Sequence, residues 1–312
     1  MSKLIFFYIS VFFSVLSFSC KNKSDAPQSV DTHSQDSLFV SIDESFRPVM
    51  EEQIAMFESS YPGKQIIASY KSEVECLKDF INSSHTPLVI VGKGLSSEEE
   101  RKFASATQNR LSWNCIASDA VVLVANAASV DTLFDLDMLR NQLSGKIKSD
   151  KKFVFDGMNA TSTVRYVRDS ILKGASFDTS LVKAKKNSRE VLDYVVSNKN
   201  AVGFVGMSWI GNPENMDQVK LLQKIKLCYV RCDLCDDKPY VKPMQQTVAS
   251  RRYPLVRPLC FLSKEGYPGL GGEFISFLKY ERGQLIFRRS YLEPVMDFSI
   301  RNVNVNQRIP KN

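Results

Sequence analysis

The chain has 312 residues, room for two domains at ~100–200 residues each and too little for four. Hydrophobic residues make up 44% and charged residues 24%, which excludes a chain without a core, and 14 Gly with 12 Pro exclude a collagen-like or Pro-rich one. With 41 basic against 34 acidic residues the net charge is +7, a mild bias towards anionic partners that does not require nucleic acid. Only His33 and His85 are present, which removes most metalloenzyme and Ser-His-Asp readings.

Residues 1–19 read as an export signal. Lys3 is their only charge, and Leu4 to Phe18 is apolar apart from three serines. That run is shorter than the ~20 residues of a spanning helix but suits the apolar region of a secretory leader. It ends in Leu16-Ser17-Phe18-Ser19-Cys20, which resembles a bacterial lipobox with Cys20 as the lipidated first mature residue. The alternative is plain cleavage near Ser19, with Cys20 an ordinary thiol. Lys21 to Ser37 holds only Ala26 and Val30 as apolar residues and cannot bury enough surface to offset its ordering entropy. Residues 20–37 are therefore a lipid-anchored tether, and His33 within it carries no chemistry.

The body then alternates. Leu38 to Ile42 predicts a strand, and Phe46, Val49, Met50, Ile54 and Phe57 predict a helix that stops at Pro62-Gly63. Gln65 to Tyr70 is a strand, Glu73 to Asn82 a helix, Pro87 to Val91 an apolar strand, and Ser96 with Glu99 a capping box. Further on come a strand at Ala120–Ala125, a helix at Asp135–Leu143, a strand at Lys152–Phe155 and a helix over 163–172. Next are a helix at Ser188–Ser197 and strands at Ala201–Val205, Val219–Leu222 and Lys226–Arg231. Val241 to Ala249, Arg257 to Ser263, a helical stretch from Glu273 to Arg288 and an alternating tail at Ser299–Val305 complete the chain. This rhythm is that of a mostly parallel sheet with helices on its faces.

Besides Cys20 there are Cys76, Cys115, Cys228, Cys232, Cys235 and Cys260, an even number that permits disulfides in an oxidising compartment. Cys228, Cys232 and Cys235 lie close enough for half a zinc site, but a fourth ligand is missing nearby, so a loop disulfide or buried thiols is the reading preferred and no metal is assigned. No G-x-S-x-G, P-loop or H-E-x-x-H occurs, and Gly269-Leu270-Gly271-Gly272 lacks the spacing of a dinucleotide site. What remains is hydroxyls where strands hand over to helices: Ser45 after the first strand, and Thr161-Ser162-Thr163 after Phe153–Phe155. Helix starts carry unpaired N–H groups, so two of them are able to grip a tetrahedral oxyanion, with Arg165 adding a charged contact. The plainer reading is that these hydroxyls only cap their helices.

The order of segments resembles the periplasmic phosphate-binding proteins of ABC importers, the PstS-like substrate-binding lipoproteins. Ser45-Phe46 with Pro48 resembles the family's Thr/Ser-Phe phosphate loop, and Val89 to Leu95 followed by Ser-Ser-Glu-Glu-Glu its third strand and helix start. Ile116 to Val124 is similar to the strand that first crosses between lobes, and Leu143-Ser144-Gly145-Lys146-Ile147 to the end of the next helix. Asn159 to Tyr166 stands where the family has its S-G-T turn, and Tyr253 to Leu259 with Gly283-Gln284 resembles motifs of the last lobe. Two departures stand out. Gly92-Lys93-Gly94 has no carboxylate where the family has an Asp acceptor for the phosphate proton, and Asp156-Gly157-Met158 replaces an Arg. Without that acceptor, discrimination between phosphate and sulfate is left open.

The resemblance implies an α/β, two-lobed fold of the type II periplasmic-binding-protein kind, with a mixed, mostly parallel sheet in each lobe. Lobe 1 would be 38–119 and 231–312, and lobe 2 would be 120–230. It implies capture of phosphate or a related oxyanion for an ABC permease in the inner membrane, without catalysis, cofactor or nucleic acid, by an envelope lipoprotein. The expected ligand residues are Ser45, Phe46, Asn159, Thr161, Ser162, Thr163 and Arg165. Lys93 stands between site cation and solvated loop lysine, and Tyr166 and Val167 should point into the core. The rivals are another oxyanion or small anion, and an envelope lipoprotein that senses or docks without transport.

Overall fold

A computed structural model describes residues 36–108, 110–157, 161–265 and 269–296. The leader, Cys20, His33, Asn159 and the tail strand expected at Ser299–Val305 lie outside the described residues.

The first three strands are β1 (Ser37–Asp43), β2 (Gln65–Lys71) and β3 (Leu88–Val91), with β1 parallel to both others. Helices Arg47–Ser60 and Glu73–Asn82 connect them. Pro48 fits the first helix because its missing N–H falls where no intrahelical bond is made. Ser72 and Glu75 form a reciprocal capping box on the second, as Ser96 and Glu99 do on Ser97–Ala106.

Strand β4 (Ser112–Asn126) is the element on which the molecule turns. Its residues 112–120 pair antiparallel with β12 (Val256–Ser263), and its residues 121–125 pair antiparallel with β8 (Ala201–Gly206). Beyond β8 lie β6 (Lys152–Phe155) and β7 (Val182–Ala184), parallel to one another, so the strand order is β2-β1-β3-β12-β4-β8-β6-β7. Two of the apolar cores lie on either side of this switch. One gathers Val40, Phe57, Leu259 and Phe274, and the other Leu123, Phe155, Val191 and Phe204. All six residues of β8 are buried, as expected of a strand covered on both faces. The α/β, two-lobed architecture with mixed sheets is thus the one the sequence implies.

Several expected elements differ. Val219–Leu222 is helical (Met216–Leu222), because the Asn215 side chain accepts the N–H groups of Asp217 and Gln218 and starts a helix where four apolar residues alone decide nothing. The helix expected over 163–172 is α-helical only at Ser162–Val167 and continues as a π-helical turn, Arg168–Leu172. Lys226–Arg231 splits at Cys228 into two short strands, β9 (Ile225–Leu227) on β4 and β10 (Tyr229–Arg231) in a separate three-stranded sheet between β5 (Leu133–Phe134) and β11 (Tyr240–Val241). Of Val241–Ala249 only the first residue is strand, and Gln245–Ala249 is helix. The stretch Glu273–Arg288 breaks at Tyr280 into two helices.

Two disulfides form. Cys115–Cys260 links directly paired residues of β4 and β12, and Cys232–Cys235 closes a loop. Cys76 and Cys228 remain buried thiols, and burial pushes the Cys228 thiol up to about 12. Among the described residues no cluster fits a metal ion, and no helix is long and apolar enough to cross a membrane.

Candidate functional site

The ends of β1 and β6 meet beside the β4 switch, and each delivers an acid followed by hydroxyls. Strand β1 closes on Asp43, and the turn Glu44–Phe46 leads into its helix. Strand β6 is followed by Asp156, and Thr161 caps the helix Ser162–Val167, its Oγ1 accepting the Val164 N–H at 3.3 Å. The Ser45 N–H donates to Asp43 Oδ1 at 2.8 Å, and the Ser162 N–H donates to Asp43 Oδ2 at 2.9 Å. One carboxylate therefore holds backbone groups from both lobes.

A relay of hydroxyls runs alongside. Arg257 Nη1 donates to Ser162 Oγ at 2.8 Å and to Thr163 Oγ1 at 3.1 Å. Thr163 Oγ1 lies 3.1 Å from Ser45 Oγ, which donates to Asp156 Oδ2 at 3.1 Å. Thr161 Oγ1 donates to Asp156 Oδ1 at 2.8 Å, and Ser188 Oγ reaches Asp156 Oδ2 at 3.2 Å and Glu44 Oε2 at 2.9 Å. Arg257 itself is anchored on Asp119 Oδ2 through Nε at 3.1 Å and Nη2 at 2.9 Å, with its guanidinium 4.7 Å above the Phe46 ring. Asp119 Oδ1 accepts the Met207 N–H at 3.0 Å. Close approach here requires glycine: a Cβ on Gly206 would lie 2.9 Å from the Ser45 carbonyl oxygen, and one on Gly92 would lie 2.5 Å from Ser162 Cβ.

Five carboxyls share this seam with two guanidiniums, and at Asp156, Glu44, Asp119 and Glu73 burial favours the proton. Burial, then the charge of Asp43, raises Asp156. Glu44 is pushed up to about 7 by burial and then by Asp156. Burial also raises Asp119 against the pull of Arg257, and Glu73 against the pull of Arg165. Outward from Asp156, Glu44 and Thr161 a cleft of about 510 Å³ opens between the lobes, bordered by Lys71, Lys78 and Lys186. Lys71 is held by Asp79 at 2.7 Å, whereas no ion pair engages Lys78 or Lys186 among the described residues.

The structure thus brings Ser45, Thr161, Ser162 and Thr163 together, with Phe46 beneath the arginine. Arg165 faces the same seam but is engaged internally. It forms an ion pair with Glu73 of lobe 1 and donates from Nη2 to the Gly92 carbonyl oxygen at 2.9 Å. Lys93 pairs with Glu99, the acid of the capping box that follows it, and no hydrogen bond joins it to the relay. Val167 is buried, and the half-buried Tyr166 packs on the core of lobe 2, its hydroxyl donating to the Pro254 carbonyl at 3.3 Å. Sequence reasoning assigned no role to Asp43, Glu44, Glu73, Asp119, Asp156, Ser188 or Arg257. The cation in contact with the hydroxyls is Arg257, not Lys93, and Glu73 supplies a carboxylate at Gly92 from another element, accepting its N–H at 3.0 Å. For Asp43 and Asp156 the available signal was an acid at the C-terminal end of a strand, directly before a hydroxyl-rich helix start.

Residues 27–281 match the sequence profile of the PBP superfamily domain. A candidate phosphate ABC transporter substrate-binding protein with bound phosphate, from Clostridium perfringens, superposes with a TM-score of 0.67 at 19% identity, covering 83% of this chain and 100% of that one. An ABC-type phosphate transport receptor from Vibrio cholerae gives 0.59 at 17% identity, with 82% and 99% covered. The periplasmic molybdate-binding protein of Azotobacter vinelandii gives 0.53 at 12% identity, with 82% and 98% covered. At these identities the likeness is one of fold. No curated protein matches the sequence.

Proposed function

Because the chain belongs to the PBP superfamily, we propose that it is a solute-binding protein that captures a tetrahedral oxyanion, inorganic phosphate first, between its lobes and hands it to an ABC permease. The observation that carries this reading is the meeting of Ser45 and Thr163, 118 residues apart and on different lobes, with their hydroxyls at 3.1 Å and Arg257 on the same group. Hydroxyls and a fixed guanidinium give a tetrahedral anion several short donors and a countercharge. Lys78 and Lys186 at the mouth raise the local concentration of anions. Protonation of Asp156 and Glu44 spares an incoming anion their repulsion, and their raised pKa values favour that state. Closure about β4 would exclude water from the bound ion, and no bond is made or broken. Lipidation at Cys20 and the tether that follows would keep this body at the envelope membrane.

Isothermal titration with phosphate, sulfate and molybdate tests the reading. Saturable one-to-one binding of phosphate, and weaker binding of the others, is the expected result. Absence of binding for all three would refute it. One observation favours a second reading, an envelope protein that senses or docks without transport: the Ser45 and Ser162 N–H groups are already taken by Asp43.

A further inference from the structure

The buried side chains of the seam are complete without any solute. Among the described residues the buried side-chain polar atoms without a partner are Arg47 Nε, Gln53 Oε1, Tyr70 Oη, Gln142 Oε1 and Arg289 Nε. None belongs to the Asp43–Ser45–Asp156–Thr163–Arg257 network. A pocket prepared for an anion leaves donors aimed at the place the anion will take. Here each side-chain donor of that network has an acceptor from the chain itself, and Asp43 takes the Ser45 and Ser162 N–H groups as well.

Three features mark Asp43 as more than a turn residue. Its side chain is fully buried, so its carboxylate has exchanged water for two backbone N–H groups. Those groups come from different lobes, Ser45 at 2.8 Å and Ser162 at 2.9 Å, so the contact exists only when the lobes are shut. At the same seam Gly92 abuts Ser162 so closely that not even a methyl group fits between them. A carboxylate and a tetrahedral oxyanion both present oxygens to N–H donors, so they compete for the same partners.

We propose that Asp43 is a built-in stand-in for the solute: its carboxylate latches the two lobes shut by bridging Ser45 and Ser162, and a bound oxyanion must displace it. The competition half of this statement rests on the oxyanion reading above, whereas the latch half does not. The affinity of the protein is then the intrinsic affinity of the donors reduced by the fraction of molecules in which Asp43 has let go.

The test uses the exported chain without its leader, as wild type, Asp43→Ala and Asp43→Asn, measured by small-angle X-ray scattering without solute and by titration with inorganic phosphate. Asn keeps one acceptor but turns an N–H2 towards a donor, so it breaks one of the two bridges with almost no change in volume. Without solute, both variants should show a larger radius of gyration than the wild type. With phosphate, Asp43→Ala should bind at least ~10-fold more tightly. An unchanged radius of gyration in both variants overturns the latch. Weaker phosphate binding in Asp43→Ala overturns the competition, because Asp43 would then be an acceptor for the solute. If no form binds phosphate, sulfate or molybdate but the variants expand, the transport reading falls and the latch stands. Should Asp43→Ala fail to fold, Asp43→Asn alone decides both points.

Discussion

Replacing Arg257 by Met tests the energetic centre of the seam. Both Arg257 and Asp119 are fully buried, and Nε and Nη2 hold the same carboxylate oxygen at 3.1 and 2.9 Å. Met fills similar space but leaves Asp119 with no countercharge, keeping the Met207 N–H at 3.0 Å. Removing one partner of a buried ion pair costs about 3–5 kcal/mol, because the remaining charge is stranded in the interior. The lost cation–π contact with Phe46, at 4.7 Å, contributes ~0.5–2 kcal/mol of the same loss. The loss should be largest at neutral pH and shrink as the solution is acidified, because burial already raises Asp119 and an unpaired Asp119 takes up a proton more readily still. Urea unfolding followed by the fluorescence of Trp113 and Trp209, at pH 5 and pH 7.5, measures it. The companion double variant Asp119→Leu/Arg257→Met removes both charges and should recover most of the stability. A single variant within ~1 kcal/mol of wild type, or a double variant as unstable as the single, would refute the account.

Two further predictions concern titration and fit. Glu44 sits at about 7 in the folded chain against an ordinary 4.5, so between these values the folded state holds a proton that the unfolded chain has released. Stability should therefore fall as pH rises from 4.5 to 7, by up to about 3 kcal/mol from this group, and Glu44→Gln should flatten that slope; equal slopes in urea unfolding of the two proteins would count against it. Gly92→Ala places a Cβ at 2.5 Å from Ser162 Cβ and should hold the lobes apart. Phosphate binding should weaken at least ~10-fold, and unchanged titration would remove Gly92 from the closing contact.

The legible half of the site was its local half. Ser45 and Thr161 to Thr163 each lie between a strand end and a helix start, and such positions are visible in a stretch of ten residues. The partners that fix them are distant: Arg257 lies 138 residues from Asp119, and Asp43 lies 119 residues from the Ser162 N–H it accepts. Neither pairing follows from spacing: the first needs the register of β12 on β4, which sets Arg257 opposite Asp119, and the second needs the ends of β1 and β6, which lie on either side of β4 in the strand order, to meet. The Cys115–Cys260 bond belongs with them, since it follows from the register of β12 on β4. Lys93 is the opposite case. Its partner Glu99 was already required by the capping box, and the acid reaches back to the Ser96 N–H and to Lys93 with different oxygens. A local bond claimed the lysine before any site was able to.

The closed seam also limits what a solute gains. A ligand moves an open–closed equilibrium only by its difference in affinity for the two states. Here the closed state already carries Asp43 to Ser162, Arg257 to Ser162 and Thr163, Glu44 to Ser188 and Arg165 to Glu73 and Gly92. Bonds of this kind contribute roughly 0.5–3 kcal/mol each, while turning a 1:99 population into 99:1 takes about 5.5 kcal/mol. A few such bridges between the lobes are therefore enough to close the protein on itself. A solute entering the seam exchanges internal bonds for its own, so its net gain is the difference between them. On the proposed function, the solute that makes that difference favourable is an oxyanion that offers more acceptor oxygens than one carboxylate and engages Arg257 as well as both N–H groups.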